Sequence, residues 1–170
     1  AEAVRLGLPF SCAVWTQARG GAGVSARARD ARYRLLHDLA ASFSATHIVT
    51  AHTFDDQVET LRMRLARNVG HGGFGLCGMA AHMNYHDIRL VRPFLSLERT
   101  RLQRFLIDMG KNHWVEDPTN TDLSYERPRM RTDCPSPSEQ RDLLDFSAFL
   151  ARYRSTIVAV TAAVIEQHVR

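Results

Sequence analysis

The sequence predicts an α/β protein with a doubly wound parallel sheet. Three short apolar runs predict strands, and three longer segments with apolar residues at helical spacing predict helices. The strands are expected at residues 10–15, 47–51 and 88–92, and the helices at residues 26–44, 57–67 and 98–109. Because strands and helices alternate, the strands should pair in parallel with helices on both faces of the sheet. Ligands of such sheets bind beyond the carboxyl ends of the strands, so a site is expected there.

The second strand and the helix after it have the clearest signals. Residues 46–50 form a short apolar run, as a buried strand requires. In the helix that follows, Val58, Leu61 and Leu65 recur at helical spacing between arginines, which is typical of an amphipathic helix. Gly110 is expected to end the third helix as a left-handed cap.

The chain is expected to form one domain with a helical tail. Its 170 residues, of which 45% are hydrophobic, are enough to bury a core. Residues 1–132 are assigned to the α/β domain, and residues 133–140 to a linker, because the closely spaced Pro135 and Pro137 cannot continue a helix. Apolar residues at helical spacing predict a helical extension over residues 141–170.

Targeting and cysteine patterns favour a cytoplasmic protein. No apolar run is expected to reach membrane-spanning length, and the first residues lack the pattern of a signal peptide. The three cysteines are odd in number and widely scattered, which supports neither a disulfide framework nor a zinc site. We therefore expect no membrane partner and no structural metal.

The basic balance of the chain is compatible with a nucleic-acid partner. The net charge is +4, the pI is near 9.3, and Lys111 is the single lysine beside 21 arginines. A Walker phosphate loop is excluded because no Gly-Lys-Ser/Thr sequence occurs. A basic surface alone supports only nonspecific, salt-sensitive binding.

A polar decapeptide, residues 51–60, marks the expected site. It places His52, Asp55, Asp56 and Glu59 where the strand at 47–51 opens into a helix. Asp56 and Glu59, three residues apart, share a helix face, and helix N-termini tolerate negative charge. The alternative is simple capping, with Asp55 or Asp56 as the N-cap and Glu59 or Gln57 bonding back to it.

A second polar block covers residues 114–131. Pro118 and Asn120 indicate a loop, and three arginines at alternate positions follow it. In an extended segment Arg127, Arg129 and Arg131 would project to the same side, where they could bind a polyanion or a carboxylate. The alternative is a solvated basic edge.

These blocks and three shorter motifs together resemble one family. The helix segment Ala-Arg-Asp-Ala-Arg-Tyr at 28–33, His-Thr-Phe-Asp-Asp-Gln-Val-Glu-Thr at 52–60, Gly-Leu-Cys-Gly-Met at 75–79, Arg-Pro-Phe-Leu at 92–95 and the segment from Trp114 to Arg131 occur in the family's order. The chain thus resembles the tRNA(Ile)-lysidine synthases, a branch of the PP-loop ATPase superfamily with a Rossmann-like fold. The family's N-terminal Ser-Gly-Gly-x-Asp-Ser phosphate loop does not occur in these residues. We therefore expect a fragment that begins after this loop, and the activity of the fragment alone is open.

The resemblance implies a two-step reaction on the wobble cytidine of the tRNA(Ile) whose anticodon is CAU. ATP, with Mg²⁺, adenylates the C2 oxygen of the cytosine, and the ε-amine of L-lysine then displaces AMP to form lysidine. The resemblance implies catalytic roles for Arg32, Asp56 and Glu59, substrate binding by Asp56, Glu59, Asn120 and Arg127, and nucleotide binding by Arg29, Arg32, His52 and Asp55. For His52 a structural role at the strand end is the alternative.

Two other functions remain open from the sequence. Another PP-loop enzyme that modifies tRNA, such as a thiolase, would share the motif at 52–60, but its paired cysteines are absent, since no Cys-x-x-Cys occurs. A nonenzymatic relic or RNA-binding module is the alternative from a different class. Loss of a central strand would leave unpaired sheet edges, which favours dimerisation, so a homodimer is also considered.

Overall fold

A computed structural model describes residues 2–16, 21, 23–67, 74–111, 113–117, 121–122 and 126–168. The helices are α1 (Glu2–Arg5), α2 (Val24–Ser42), α3 (Phe54–Ala66), α4 (Arg99–Asp108), α5 (Glu126–Thr132) and α6 (Pro137–His168), with a 3₁₀ turn at Phe74–Leu76. The strands are β1 (His47–Val49), β2 (His82–Tyr85) and β3 (Ile88–Val91). The first of two units is Ala1–Thr50 with His82–Val91, and the second is Ala51–Ala81 with Arg92–Arg170.

The first unit contains a mixed sheet with the strand order β1-β3-β2. β1 pairs in parallel with β3, and β2 pairs antiparallel with β3. Ile48, Ile88 and Leu90 form a buried cluster with Tyr33 and Ala40 of α2. The predicted α/β class is confirmed, and so are the strands expected at residues 47–51 and 88–92, which are β1 and β3. The sequence analysis missed β2, because its His-Met-Asn-Tyr sequence has no apolar run and none of its residues is buried.

The strand expected at residues 10–15 does not form. These residues belong to no helix or strand, and Phe10 and Val14 are each 72% exposed. A strand is stabilised by hydrogen bonds to a neighbouring strand and by packing of one face. The described residues of the first unit pair no strand with this segment, so the apolar run alone gave a wrong prediction.

Helix α3 in the second unit begins earlier than expected. Thr53 is its N-cap, so the helix starts at Phe54 and not at residue 57. Helix α4 ends close to the predicted position, and Gly110 follows it with φ of +70°, which confirms the left-handed cap.

Helix α6 forms a continuous element of 32 residues that packs against α3 and the 3₁₀ turn. It begins at Pro137, inside the segment expected to be a linker, because the first helical position needs no backbone N–H donor. By length and composition this helix could cross a membrane, contrary to the expectation that no segment reaches that length. Charged residues such as Arg152 and Arg154 interrupt the apolar residues of this helix, so the sequence contains no uninterrupted apolar run of membrane-spanning length. One such helix is weak evidence for a membrane protein.

Candidate functional site

A cavity of about 210 Å³ opens in the second unit beside the first turns of α3. Acidic and basic side chains both reach it, together with a thiol, an amide and two apolar groups. Its lining consists of Asp55, Val58, Glu59, Arg62, Arg99, Met130, Arg131, Cys134 and Gln140. Two carboxylates and three guanidinium groups therefore share one small space, which suits a ligand that carries both charges.

Glu59 is the buried charge of this cavity. It is only 5% exposed, and Arg131 donates a hydrogen bond from Nε to its Oε1 at 2.6 Å. The other oxygen, Oε2, is 3.8 Å from Arg127 Nε and accepts no hydrogen bond from any residue that the structure describes. A buried polar atom without a partner costs about 1–3 kcal/mol. Oε2 of Glu59 is therefore suited to accept a hydrogen bond from a ligand.

The arginines that face Glu59 come from a helix, not from an extended segment as predicted. In α5, Arg127 and Arg131 are four residues apart and lie on one face. Arg129, two residues from each of them, is not on this face and is exposed. Burial acts to lower the pKa of Arg131, but the hydrogen bond and charge of Glu59, with Asp56 and Asp55, outweigh it and raise this pKa. Arg131 therefore stays charged and keeps Glu59 in place.

Asp55 and Asp56 organise the starts of two helices. Oδ2 of Asp56 accepts the backbone N–H of Thr53 at 2.8 Å and its hydroxyl at 2.9 Å. Oδ2 of Asp55 accepts the backbone N–H of Arg99, the first residue of α4, at 2.8 Å. The capping alternative was thus correct in kind but wrong in its residues, because α3 starts three residues earlier. Thr53 is the cap, and Asp56 bonds back to it in place of Glu59 or Gln57.

Arg99 is one of the cavity residues that the sequence analysis did not assign to a site. Its Nη2 lies 3.5 Å from Oδ1 of Asp56, and its side chain is 37% exposed. The available signal was its position in the chain, since Arg99 opens the first helix that follows β3 in the sequence.

The motif at 75–79 is fixed to α3 by the amide of Gln57. This amide donates to the carbonyl of Met79 at 2.8 Å and accepts the backbone N–H of Met79 at 2.7 Å. Arg64 donates to the carbonyls of Gly75 and Gly78 at 2.8 and 3.1 Å. Gly78 has φ of +67°, and a Cβ atom there would meet Gln57 and Ser147 at 3.0 Å. Two separate sequence motifs are therefore parts of one packed structure.

The remaining site residues expected from the sequence do not line this cavity or lie outside the residues that the structure describes. His52 is half-buried and directly precedes Thr53. Arg29 and Arg32 belong to α2 in the first unit, where Arg29 lies 5.0 Å from the ring centre of Tyr33 and Arg32 is exposed. Asn120 lies outside the residues that the structure describes.

A larger cavity of about 440 Å³ occurs in the first unit, at the amino-terminal ends of β1 and β3. Its lining includes His47 and Arg89, which begin the parallel pairing of β1 with β3. Ligands of parallel sheets bind at the carboxyl ends of strands, so this cavity is the weaker candidate.

Comparison with known proteins identifies the family of the chain. The PP-loop domain family matches residues 2–135. The tRNA(Ile)-lysidine synthase of Bradyrhizobium diazoefficiens is 40% identical over 163 residues, which cover 94% of this chain and 44% of that protein. The synthase of Ruegeria pomeroyi is 38% identical over an alignment of 160 positions, which covers 92% of this chain and 38% of that protein. The synthase of Rhizobium meliloti is 36% identical over an alignment of 173 positions, which covers 97% of this chain and 37% of that protein. The chain thus spans less than half the length of these relatives. Since the family match covers most of the chain, this protein belongs to the PP-loop domain family.

Proposed function

We propose that this chain is part of a tRNA(Ile)-lysidine synthase that modifies the tRNA(Ile) with anticodon CAU. In the first step ATP transfers its AMP group to the C2 oxygen of the wobble cytidine, and pyrophosphate leaves. In the second step the ε-amine of lysine attacks C2, and AMP leaves. The relatives named tRNA(Ile)-lysidine synthase support this proposal, and the order of the motifs in the sequence agrees with it.

The observation that carries the proposal is the unsatisfied oxygen of Glu59 in a small cavity. Pockets for drug-sized ligands usually measure about 300–1,000 Å³, so a cavity of about 210 Å³ suits an amino acid better than a nucleotide. An ammonium group has three donors and no acceptor. The ε-ammonium of lysine could therefore supply the hydrogen bond that Oε2 of Glu59 lacks.

The lysine ammonium must lose a proton before its nitrogen can attack. Asp56 and Glu59 are the carboxylates that we propose for holding the ammonium and accepting this proton. Asp56 already accepts two hydrogen bonds from Thr53 through Oδ2, whereas Oε2 of Glu59 accepts none from the described part of the chain. Glu59 is therefore the better candidate for direct contact, and Asp56 for positioning. Arg127, near Oε2 of Glu59, and Asn120 complete the proposed substrate contacts.

The nucleotide is proposed to bind through other groups. Arg32, with Arg29 beside it, would neutralise charge on the phosphates, and His52 and Asp55 would contact the nucleotide. No group of three or more His, Cys, Asp or Glu side chains among the described residues could hold a metal alone. Mg²⁺ needs only one or two carboxylates when phosphates supply the other ligands, so we propose that it binds together with ATP and not in a metal site of its own. Bound Mg²⁺ would neutralise phosphate charge.

The remaining partners and the location also belong to the proposal. We propose that the protein acts in the cytoplasm, where its substrates tRNA(Ile), L-lysine and ATP occur, and that a homodimer is one assembly to test. The net charge of +4 supports contact with tRNA but does not specify which tRNA is bound.

The first test is to replace the carboxylates in the full-length protein that contains this chain. We expect Glu59→Gln and Asp56→Asn each to raise the lysine KM or lower kcat at least tenfold, because each removes a negative charge and keeps the side-chain shape. Steady-state kinetics with a CAU-anticodon tRNA transcript would measure this, and thermal melting would show that both variants fold. Kinetics close to those of the parent in both variants would contradict the proposed roles.

A second test separates the enzyme from an RNA-binding relic. If the fold retains a nucleotide site, ATP should raise the melting temperature of the 170-residue chain, and the rise should continue with the logarithm of the ATP concentration above the Kd. An unchanged melting temperature, together with equal affinity for isoleucine and methionine tRNAs, would favour the relic. Differential scanning fluorimetry and filter binding would supply the two measurements.

A further inference from the structure

We propose that Arg99 binds the carboxylate of the amino acid that occupies the cavity beside Glu59. This inference rests on the proposed function and adds a binding residue to it. It assigns opposite charges of one small ligand to two residues of the same cavity, with Glu59 for the ammonium and Arg99 for the carboxylate.

The other two arginines of the cavity already have partners. Arg131 donates to Oε1 of Glu59 at 2.6 Å. Arg62 donates to the carbonyl of Met130 and, at 3.0 Å, to Oδ2 of Asp133. Both guanidinium groups therefore hold the walls of the cavity together, and a ligand would have to displace these contacts to use them.

Arg99 differs because its guanidinium is held only loosely. The nearest acidic atom is Oδ1 of Asp56 at 3.5 Å, and within the described ranges the Arg99 side chain makes no hydrogen bond. Its side chain is 37% exposed, compared with 17% for Arg62 and 30% for Arg131. Arg99 is therefore the cavity cation with the most donors available for a ligand.

The backbone of Arg99 is nevertheless fixed in place. Its N–H is bonded to Oδ2 of Asp55 at 2.8 Å, and this carboxylate belongs to the first turn of α3. The first turns of α3 and α4 are thus tied together. This fixed backbone carries a loosely held guanidinium, which can bind a carboxylate with two parallel hydrogen bonds at little cost in chain ordering.

A cavity with this arrangement should select an amino acid over the corresponding diamine. L-Lysine carries both the ammonium and the carboxylate, whereas cadaverine has the ammonium groups and no carboxylate. Removal of a hydrogen bond to a charged group weakens binding by about tenfold or more. We expect lysine to bind at least tenfold more tightly than cadaverine, and Arg99 to provide this difference.

The test is calorimetric titration of the 170-residue chain with L-lysine, cadaverine and inorganic pyrophosphate at low salt. Arg99→Ala should reduce the ratio of lysine to cadaverine affinity to near one, and Arg99→Lys should restore it in part. Arg101→Ala is the matched control, because Arg101 is an exposed arginine of the same helix outside the cavity lining. The control should keep the full ratio.

Each outcome separates the inference from the proposed function. If lysine still binds at least tenfold better than cadaverine in Arg99→Ala, the Arg99 assignment is wrong and the proposed function stands. If Arg99→Ala weakens only pyrophosphate binding, the residue serves a phosphate and the inference fails. If the unaltered chain binds neither lysine nor cadaverine, the lysine site itself is wrong, and the proposed function fails first.

Discussion

At the scale of single residues, the site depends on how few hydrogen bonds Glu59 and Arg99 make. Most polar groups near the cavity have partners, including Asp55, Asp56 and Arg131. The large majority of buried side-chain polar atoms in proteins have at least one hydrogen-bond partner, and Oε2 of Glu59 has none among the described residues. The incomplete bonding of Glu59 is therefore the sharpest local sign that a ligand binds there.

A second residue-scale feature is the contact between His37 and Asp87 in the first unit. Nε2 of His37 lies 2.8 Å from Oδ1 of Asp87. Hydrogen bonds to Asp87, and then to Asp38, raise the pKa of His37, and the bond from His37 lowers the pKa of Asp87. The His37 ring also lies 5.2 Å from the ring of His86.

The contact between His37 and Asp87 should stabilise the first unit only over a limited range of pH. The His37 contribution is fully present below its ordinary pKa of about 6.5 and is lost as pH rises through the raised value. The Asp87 contribution is present above about pH 4 and is lost as pH falls through the lowered value. We therefore expect the contact to contribute most between about pH 4 and 6.5. NMR titration should give a His37 pKa above 6.5 that falls toward the ordinary value in Asp87→Asn, where Asp38 still acts to raise it, and an unchanged value in that variant would contradict the assignment.

At the scale of elements, the turn at 75–79 joins α3 to α6. Gln57 holds the backbone of Met79 from one side, and Ser147 of α6 lies against Gly78 from the other. Ser147 is only 5% exposed, so α6 is anchored here although most of its apolar residues are exposed. A loop motif that contributes to the family resemblance thus has a clear packing role.

Gly78→Ala should therefore destabilise the second unit. The added methyl group would lie 3.0 Å from Gln57 and Ser147, and alanine rarely adopts a φ of +67°. Overpacking in a tight site costs about 1–3 kcal/mol, and the backbone strain adds to this. Chemical denaturation should show the loss. Gly110→Ala is a useful control, because Gly110 has a similar φ of +70° but no atom within 4 Å of its added Cβ. Equal losses in both variants would show that backbone strain alone is responsible.

At the scale of the whole molecule, the sequence predicted the junction between β1 and α3 better than the tertiary contacts around it. The strand-to-helix junction with Asp55, Asp56 and Glu59 was correctly placed in the chain, because short apolar runs followed by polar clusters have strong local signals. The extended conformation expected for residues 127–131 was wrong. Arginines two residues apart suit one face of a strand, but Arg127 and Arg131, four residues apart, equally suit one face of a helix. Arg99 was missed because its importance comes from contacts with Asp55 and Asp56, which are distant in sequence. Contacts of this kind are set by tertiary packing, which a local pattern does not contain.

The sheet of the first unit also has a consequence for the order in which the chain folds. β2 and β3 are joined by a two-residue turn, so Tyr85 meets Ile88 through very local chain closure. β1 pairs with the same strand across a long intervening segment, since His47 is opposite Arg89. A hairpin forms in about 1–10 μs, whereas distant pairing must first overcome the entropy of closing a long loop. The hairpin is therefore expected to act as the template to which β1 adds later, which makes the parallel pair the slow step in assembling this sheet.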